Sequence, residues 1–104
     1  MIKFFRNTQH IHFIGIGGIG MSGMAELLST HGFTITGSDI TSSERTVHLI
    51  NCGIQINYGH SAKNIKNCDV IVYSSAINKD NPEIIEGEKN NIPIIKRAEL
   101  LGEL

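Results

Sequence analysis

The feature that most constrains this chain is a run of four glycines within six residues, Gly15-Ile-Gly17-Gly18-Ile-Gly20. It contains G-x-G-x-x-G, placed directly after an apolar run of strand length and directly before a segment of helical period. In that context the pattern is typical of a phosphate-binding turn. Gly15 would allow the tight turn, Gly17 the close approach of a pyrophosphate, and Gly20 close packing of the helix on its strand. The amides of residues 18–21 would then point at the anion.

The alternative is a glycine turn that packs a helix on a sheet and binds nothing. A kinase-type P-loop is excluded, because G-x-x-x-x-G-K-[ST] occurs nowhere in the sequence.

Apolar runs of strand length alternate with segments of helical period along the chain. The predicted strands are 10–14, 33–36, 54–58, 69–73 and 93–95. Predicted helices run from Met21 to Gly32, from Ser43 to Gly53, over 80–91, and from Arg97 to the end. Strands joined by crossover helices lie parallel, with right-handed connections. We therefore expect an α/β fold, a Rossmann-like doubly wound parallel sheet of about five strands.

Composition limits the domain count and the partners. The 104 residues, 40% hydrophobic and 18% charged, suffice for one domain spanning 1–104. The net charge of −1 and the absence of a basic run argue against nucleic acid. Residues 1–7 lack the apolar stretch of a signal peptide, and no later segment has the length of a membrane span. The sequence therefore predicts a cytoplasmic protein without a membrane partner.

Three further groups of polar residues fall at predicted strand ends. Asp39 lies 19 residues past Gly20, where dinucleotide folds place the acid that binds ribose hydroxyls, and this spacing alone favours NAD. Residues 74–77, Ser-Ser-Ala-Ile, leave the fourth strand at the point where strand order reverses, and their hydroxyls could reach a phosphate. His60 could donate to a phosphate, ribose or base. Turn capping is the alternative role for Asp39 and for the serines.

The remaining histidines and the cysteines are expected to be structural. No carboxylate partner for a histidine is evident in the sequence, so we assign no catalytic residue. Cys52 and Cys68 are predicted to be reduced and buried. His48 and Cys52 would share one side of a helix, but two ligands do not make a metal site, so none is predicted.

Six stretches together resemble the N-terminal domain of the bacterial Mur ligase family: 12–25, 37–39, 59–60, 72–77, 80–83 and 97–101. The resemblance covers nearly all of residues 10–104. Its most specific parts are the Gly-Gly-Ile-Gly-Met-Ser loop and the Ser-Ser-Ala-Ile turn. Within the family, the pattern resembles that of the ligases that attach L-alanine to UDP-N-acetylmuramate, and sister ligases that attach a preformed peptide share much of it.

The resemblance implies that the domain binds the UDP part of UDP-N-acetylmuramate. Two groups would surround the diphosphate: Gly15, Gly17, Gly18, Ile19, Gly20, Met21 and Ser22 of the loop, and Ser74, Ser75, Ala76 and Ile77 of the turn. Asp39, Ile40 and His60 would lie toward the uridine.

The resemblance also implies a division of labour within a longer enzyme of peptidoglycan synthesis, and hence of cell shape and cell division. A central domain would hold ATP, Mg²⁺ and the catalytic residues, and a C-terminal domain the incoming L-alanine. ATP would phosphorylate the muramyl carboxylate, and the alanine amine would displace the phosphate. The helical segment from Arg97 has no completed C-terminal cap, so we expect the first domain of a longer polypeptide, inactive alone. The alternative function is an NAD-binding domain of a dehydrogenase or a nucleotide-sensing regulator.

Overall fold

The computed structural model describes residues 7–103, and the side chains of residues 7–100. Residues 1–6 and residue 104 lie outside this range. The prediction that residues 1–7 are not a signal peptide therefore falls almost entirely outside the described residues. In chain order the elements are β1 (His10–Ile14), α1 (Ile19–Thr30), β2 (Thr34–Asp39), α2 (Glu44–Asn51), β3 (Gln55–Tyr58), a 3-10 helix (Ala62–Ile65), β4 (Val70–Tyr73), α3 (Pro82–Lys89), β5 (Ile94–Lys96) and α4 (Arg97–Glu103).

The five strands form one parallel sheet in the order β3-β2-β1-β4-β5, which confirms the predicted Rossmann-like fold. β1 is central, and its Phe13 pairs with Gly37 of β2 on one side and Val72 of β4 on the other. The chain leaves β1 toward β2 and later returns to its other side at β4. The strand order therefore reverses beside β1, where folds of this kind leave a crevice for a ligand.

The central strand is buried on both faces and divides the core in two. Ile11 and Phe13 pack with Met24 and Leu28 of α1 and with Leu100 of α4. The alternate residue Ile14 packs on the other face, in a cluster with Ile65, Cys68, Ile71 and Ile84. This period of two places α1, α2 and α4 on one face of the sheet, and α3 with the 3-10 helix on the other.

Local signals fix the helix starts. The Ser43 hydroxyl accepts the Thr46 N–H at 3.2 Å, and the Thr46 hydroxyl accepts the Ser43 N–H at 2.8 Å, so the two residues cap α2 reciprocally. Pro82 is the first residue of α3, where its missing N–H costs nothing. α3 is shorter at both ends than the predicted 80–91, because Asn81 caps its start and Asn90 its end.

The helix α2 buries only part of its apolar surface. Leu49 is buried, but Val47 and Ile50 are 48% and 44% exposed. The second residue that α2 buries is Thr46, whose hydroxyl also accepts from the Tyr58 hydroxyl at 2.9 Å. A helix of eight residues buries only a narrow stripe of its side chains. In α2 this stripe includes the polar residue Thr46, because Thr46 also takes part in the N-terminal cap.

The two thiols differ in environment. Cys68 is buried as predicted, and burial, together with the negative charges of Asp69 and Glu83, raises the pKa of its thiol to about 12. Cys52 is exposed, contrary to the prediction, because it caps the end of α2 beyond the buried stripe. Over the part of the chain that the structure describes, no helix is long and apolar enough to cross a membrane.

Candidate functional site

A cleft of about 350 Å³ opens at the carboxyl edge of the sheet, beside the reversal of strand order. β1 leads into it through the glycine turn, β2 ends at it with Asp39, and β4 leads into it through Ser74. Nine predicted residues line it: Gly15, Gly17, Gly18, Asp39, Ile40, His60, Ser74, Ala76 and Ile77. Three residues that we did not predict also line it: Thr41, Ser43 and Arg45.

The glycine turn is anchored to the end of β2. Gly15 has φ +78°, a left-handed conformation that favours glycine, as the tight turn predicted. The Gly15 and Ile16 amides both donate to the Ser38 carbonyl, at 2.8 and 3.0 Å, and the Gly18 amide donates back to the Gly15 carbonyl at 3.0 Å. The loop is therefore held in shape by its own backbone before any ligand binds.

The start of α1 offers two amides to an anion rather than the four predicted. Met21 and Ser22 donate their N–H groups to the Gly18 carbonyl at 3.1 and 2.9 Å, and Gly18 is bonded to Gly15. Within residues 7–103, the amides of Ile19 and Gly20 have no hydrogen-bond partner. These two N–H groups, with the helix dipole behind them, are the ones available to a phosphate.

Gly17 owes its lack of a side chain to its protein neighbours. A Cβ there would lie 2.8 Å from Asp39 Oδ2 and 2.8 Å from Thr46 Cγ2. The predicted reason, room for a pyrophosphate, stays a prediction, and these two protein contacts are a separate reason for a glycine at this position. At Gly20 the nearest neighbour of an added Cβ would be the Arg97 guanidinium carbon, at 2.9 Å, rather than the strand on which close packing was predicted.

Asp39 braces the loop. Its Oδ2 accepts the Gly17 N–H at 2.8 Å, and its Oδ1 accepts the Ile40 N–H at 2.8 Å. Each carboxylate oxygen therefore already accepts one backbone amide. This role joins the end of β2 to the glycine turn, and the spacing between Asp39 and Gly20 did not reveal it.

Arg45 brings a positive charge to the cleft, and sequence reasoning missed it. It lies in the first turn of α2, and its Nε donates to the Gly17 carbonyl. The stretch from residue 40 to 46 has no motif spacing. The available signal was the cap at Ser43, which fixes where the helix begins and so places Arg45 against the loop. Arg97 lies on the other flank, beside Gly20.

The position of His60 is set from behind by a buried carboxylate. The Ser38 hydroxyl donates to Glu83 Oε1 at 2.8 Å, so its oxygen accepts the Nδ1–H of His60 at 2.9 Å. This arrangement assigns the proton of the neutral imidazole to Nδ1. Its Nε2 has no partner within the described residues, and the ring lines the cleft.

Glu83 is fully buried and joins four elements. It stands in the first turn of α3 and also accepts from His12 Nε2 at 2.7 Å, from Asn64 Nδ2 at 2.8 Å and from the Ser61 N–H at 3.1 Å. Burial alone would raise its pKa, but the hydrogen bonds from His12, Asn64 and Ser38 outweigh burial and lower it to about 2. Glu83 is thus an anion at neutral pH. The sequence showed no carboxylate partner for a histidine. The one feature that could have pointed to Glu83 is its position directly after Asn81 and Pro82, at the start of α3.

The serine turn closes on the opposite side of the cleft. The Ile77 amide donates to the Ser74 carbonyl at 3.1 Å, and the Ala76 amide contacts the Ser74 hydroxyl at 3.4 Å. The Ile77 side chain lies against Gly15, so the turn contacts the glycine loop directly.

Five predicted site residues do not line the cleft: Ile19, Gly20, Met21, Ser22 and Ser75. Met21 faces inward and is buried in the core, and Ile19 is 82% exposed. The Ser22 hydroxyl contacts the carbonyl of Ile19 at 3.4 Å, within its own helix. Ser75 is exposed at the tip of its turn. Of the four loop residues in this set, only Ile19 and Gly20 have backbone amides without a partner within the described residues.

The cleft lacks the groups that are typical of a site for ATP with Mg²⁺. It offers amides, an arginine and an imidazole, but no lysine-bearing loop. In the described part of the chain, the one group of three potential metal-ligating side chains lies elsewhere, between α1 and α2. Mg²⁺ requires carboxylate oxygens together with phosphates, and the single carboxylate at the cleft, that of Asp39, is bonded into the loop.

Comparisons with known proteins agree with this geometry. The profile "Mur ligase family, catalytic domain" matches residues 10–104. The UDP-N-acetylmuramate–L-alanine ligase of Clostridium botulinum is 56% identical over 97 residues, which are 93% of this chain and 21% of that protein. The structure of UDP-N-acetylmuramate-alanine ligase from Thermotoga maritima superposes with a TM-score of 0.87 at 39% identity, covering 91% of this chain and 22% of that one.

A murein peptide ligase from Psychrobacter arcticus also has a similar structure. Its TM-score is 0.85 at 26% identity, over 91% of this chain and 20% of that one. The chain therefore spans about a fifth of the length of the relatives it matches.

Proposed function

The chain belongs to the Mur ligase family, and from this premise we propose that its cleft binds the UDP part of UDP-N-acetylmuramate. The bound nucleotide sugar would serve an ATP-dependent ligase that joins L-alanine to the muramyl carboxylate in peptidoglycan synthesis. Residues 1–104 would be the N-terminal, nucleotide-binding domain of that enzyme, which acts in the cytoplasm.

The observation that carries the proposal is the set of anion-binding groups around the glycine loop, which borders the cleft. The amides of Ile19 and Gly20 have no partner in the described chain and stand at the positive end of α1. Arg45 approaches the same loop from α2. Backbone amides at a helix start and a guanidinium are the donors that proteins use for phosphate oxygens. In the proposed complex the diphosphate lies at the loop end of the cleft, between these groups and the Ser74 hydroxyl.

The other end of the cleft suits a uridine. The unpartnered Nε2 of His60 accepts a hydrogen bond in the neutral imidazole, and a uracil N–H or a ribose hydroxyl would supply it. Ile40 is 72% exposed beside Asp39 and offers an apolar surface for the flat base.

The chemistry would take place outside this chain. ATP and Mg²⁺ do not fit the cleft, and we therefore assign them, together with L-alanine, to the remainder of a longer enzyme. What these residues contribute is binding: they fix the nucleotide, and so hold the muramyl carboxylate where another domain activates it.

The hydrogen bonds of Asp39 favour this reading over an NAD-binding domain. In dinucleotide folds the acid at this position binds the ribose hydroxyls. Here both of its oxygens hold backbone amides, and one of those belongs to the loop itself. Identity separates the two branches of the family: the alanine ligase of Thermotoga maritima is 39% identical, and the murein peptide ligase is 26% identical. The L-alanine branch is therefore the one we propose.

Parallel calorimetric titrations of the chain with UDP-N-acetylmuramate, UDP and NAD test the proposal. We expect UDP-N-acetylmuramate to bind at least about tenfold more tightly than NAD, a difference of about 1.4 kcal/mol. UDP alone should retain much of the affinity, because the proposed contacts are to the nucleotide. NAD binding as tight as that of the nucleotide sugar would overturn the proposal.

A further inference from the structure

A second group of polar side chains lies away from the nucleotide cleft, in the groove between α1 and α2. It consists of Glu26, in the middle of α1, and of His48 and Cys52, at the end of α2. The His48 and Cys52 positions are four apart, which puts both side chains on one side of the helix. Glu26 comes from a different element, so sequence spacing did not indicate it.

The three side chains converge on one point. His48 Nε2 lies 3.0 Å from Glu26 Oε1 and 3.7 Å from Cys52 Sγ, and all three atoms lie within 4.8 Å of one another. A tetrahedral zinc ion with ordinary bond lengths would separate nitrogen from oxygen by about 3.3 Å and nitrogen from sulfur by about 3.6 Å. The two distances to the imidazole therefore nearly match two edges of a zinc tetrahedron.

Hydrogen bonding accounts for this arrangement incompletely. Nε2 of a histidine has one in-plane direction, which holds either a proton or a lone pair. It can donate to the Glu26 carboxylate or accept from the Cys52 thiol, but it cannot do both. A cation on the lone pair would bring oxygen, nitrogen and sulfur into its coordination sphere together.

The electrostatic surroundings also favour a cation. Cys52 is the residue that caps the C-terminal end of α2, where the helix dipole is negative. Glu44 and Arg45 of the first turn of α2 line the same groove, and Arg45 is directed to the Gly17 carbonyl. Glu26 and a Cys52 thiolate would together carry two negative charges against one divalent ion.

We propose that Glu26, His48 and Cys52 form a binding site for a divalent transition-metal ion, zinc by preference. Mixed sulfur, nitrogen and oxygen ligands suit zinc and exclude magnesium or calcium as the preferred ion. His48 and Glu26 are 58% and 43% exposed, so a fourth position is open to water or to a ligand from outside. Metal binding would link α1 to α2, the two helices that carry the loop amides and Arg45.

Titration of the reduced, metal-free chain with Co²⁺ tests the site, because cobalt reports its own ligands. We expect a sulfur-to-cobalt charge-transfer band and the intense visible bands of tetrahedral coordination, both lost on adding Zn²⁺. Cys52→Ser should abolish the charge-transfer band. His48→Gln and Glu26→Gln should weaken Zn²⁺ binding at least about tenfold, since even outer-shell partners of a metal site cost 10- to 100-fold.

Matched controls come from other exposed positions: His31→Gln for the histidine and Glu88→Gln for the carboxylate. Both should bind as the unaltered chain does. Alkylation read by mass spectrometry needs no variant, and Zn²⁺ should protect Cys52. The proposal is overturned if Co²⁺ shows no sulfur band, if Zn²⁺ leaves Cys52 equally reactive, or if the controls weaken binding as much as the ligand variants. Because the nucleotide cleft shares none of the three ligands, either result leaves the proposed function untouched.

Discussion

At the scale of single residues, the cleft depends on a few side chains that hold the backbone for a ligand. Arg45 and Asp39 both bond to Gly17, one at its carbonyl and the other at its amide. The loop is thus fixed from α2 and from β2 at the same residue. Substitutions at these two positions should have different effects. Arg45 would contact the ligand phosphate directly, whereas Asp39 stabilises the loop conformation.

Arg45→Gln should weaken UDP-N-acetylmuramate binding by about 1–3 kcal/mol, because a charge-assisted hydrogen bond to a phosphate is lost. Arg45 is exposed, so the unfolding free energy should change little. Calorimetric titration measures the first quantity and urea unfolding the second. Lys63→Gln, an exposed cation on the 3-10 helix, is the control and should bind normally. Equal losses for both variants would indicate only general charge attraction.

Asp39→Asn should destabilise the fold by about 1–3 kcal/mol and weaken nucleotide binding as a consequence. The amide keeps one acceptor oxygen, so its NH₂ group must face either the Gly17 or the Ile40 N–H, and one amide is left unpaired. Thermal unfolding with and without UDP measures both effects. Normal stability together with lost binding would show instead that Asp39 contacts the ligand.

At the scale of elements, Glu83 ties α3 to β1, β2 and the 3-10 helix. Its network explains why His60 is held at the cleft although β3 is an edge strand. It also joins elements far apart in sequence, since His12 and Glu83 are separated by 71 residues.

Glu83 should make the fold sensitive to acid. Its pKa is lowered from 4.5 to about 2, so it contributes stability above pH 4.5 that is lost as pH falls from 4.5 toward 2. This lowering of the pKa corresponds to about 3 kcal/mol in the free energy of unfolding. Glu83→Gln should unfold more easily at pH 7 and lose less stability over this interval. Urea unfolding at several pH values measures the pH dependence of the unfolding free energy. The control is Glu88→Gln, at an exposed position of the same helix, which should show the same pH dependence as the unaltered chain.

Two helical glycines should respond oppositely to alanine. A Cβ at Gly23 in α1 meets nothing within 4 Å, so Gly23→Ala should stabilise the fold by about 0.5–1 kcal/mol through helix propensity. At Gly87 in α3 a Cβ would lie 2.5 Å from Ile71 Cδ1. Gly87→Ala should destabilise by about 1–2 kcal/mol, the overpacking cost less the helical gain. The midpoints of urea unfolding decide, and equal shifts would contradict the packing described here.

At the scale of the whole molecule, three strand ends of the sheet form the cleft, and we propose that the remaining chemistry takes place in other parts of a longer enzyme. The reversal of strand order beside β1 is what opens the crevice. The chain spans about a fifth of the length of its relatives. The lysine-bearing phosphate loop expected of an ATP site does not occur in its sequence.

The chain by itself should therefore not turn over ATP, with or without UDP-N-acetylmuramate and L-alanine. The reason is the lack of a lysine-bearing phosphate loop. Phosphate release assays on the purified chain measure this, and the same sample should still bind UDP-N-acetylmuramate in calorimetry. ATP hydrolysis that co-purifies with the folded chain would contradict the division of labour proposed here.

The α-helices, the strands and their order were predictable from the amino-acid sequence alone. Gly15, Ser43 and Pro82 act on neighbouring backbone, so turn and helix starts were predictable from local chemistry. Alternating strands and helices then imposed a parallel sheet, and the position of the glycine turn indicated the ligand edge.

Which side chains meet at that edge became evident only from the three-dimensional fold. Arg45 reaches Gly17 across 28 residues, and Glu83 reaches His12 across 71. Such contacts depend on how helices pack over the sheet, and no local pattern encodes them. For the same reason the structure, and not the spacing, revealed that Asp39 bonds to the glycine loop and that Glu26 joins His48 and Cys52.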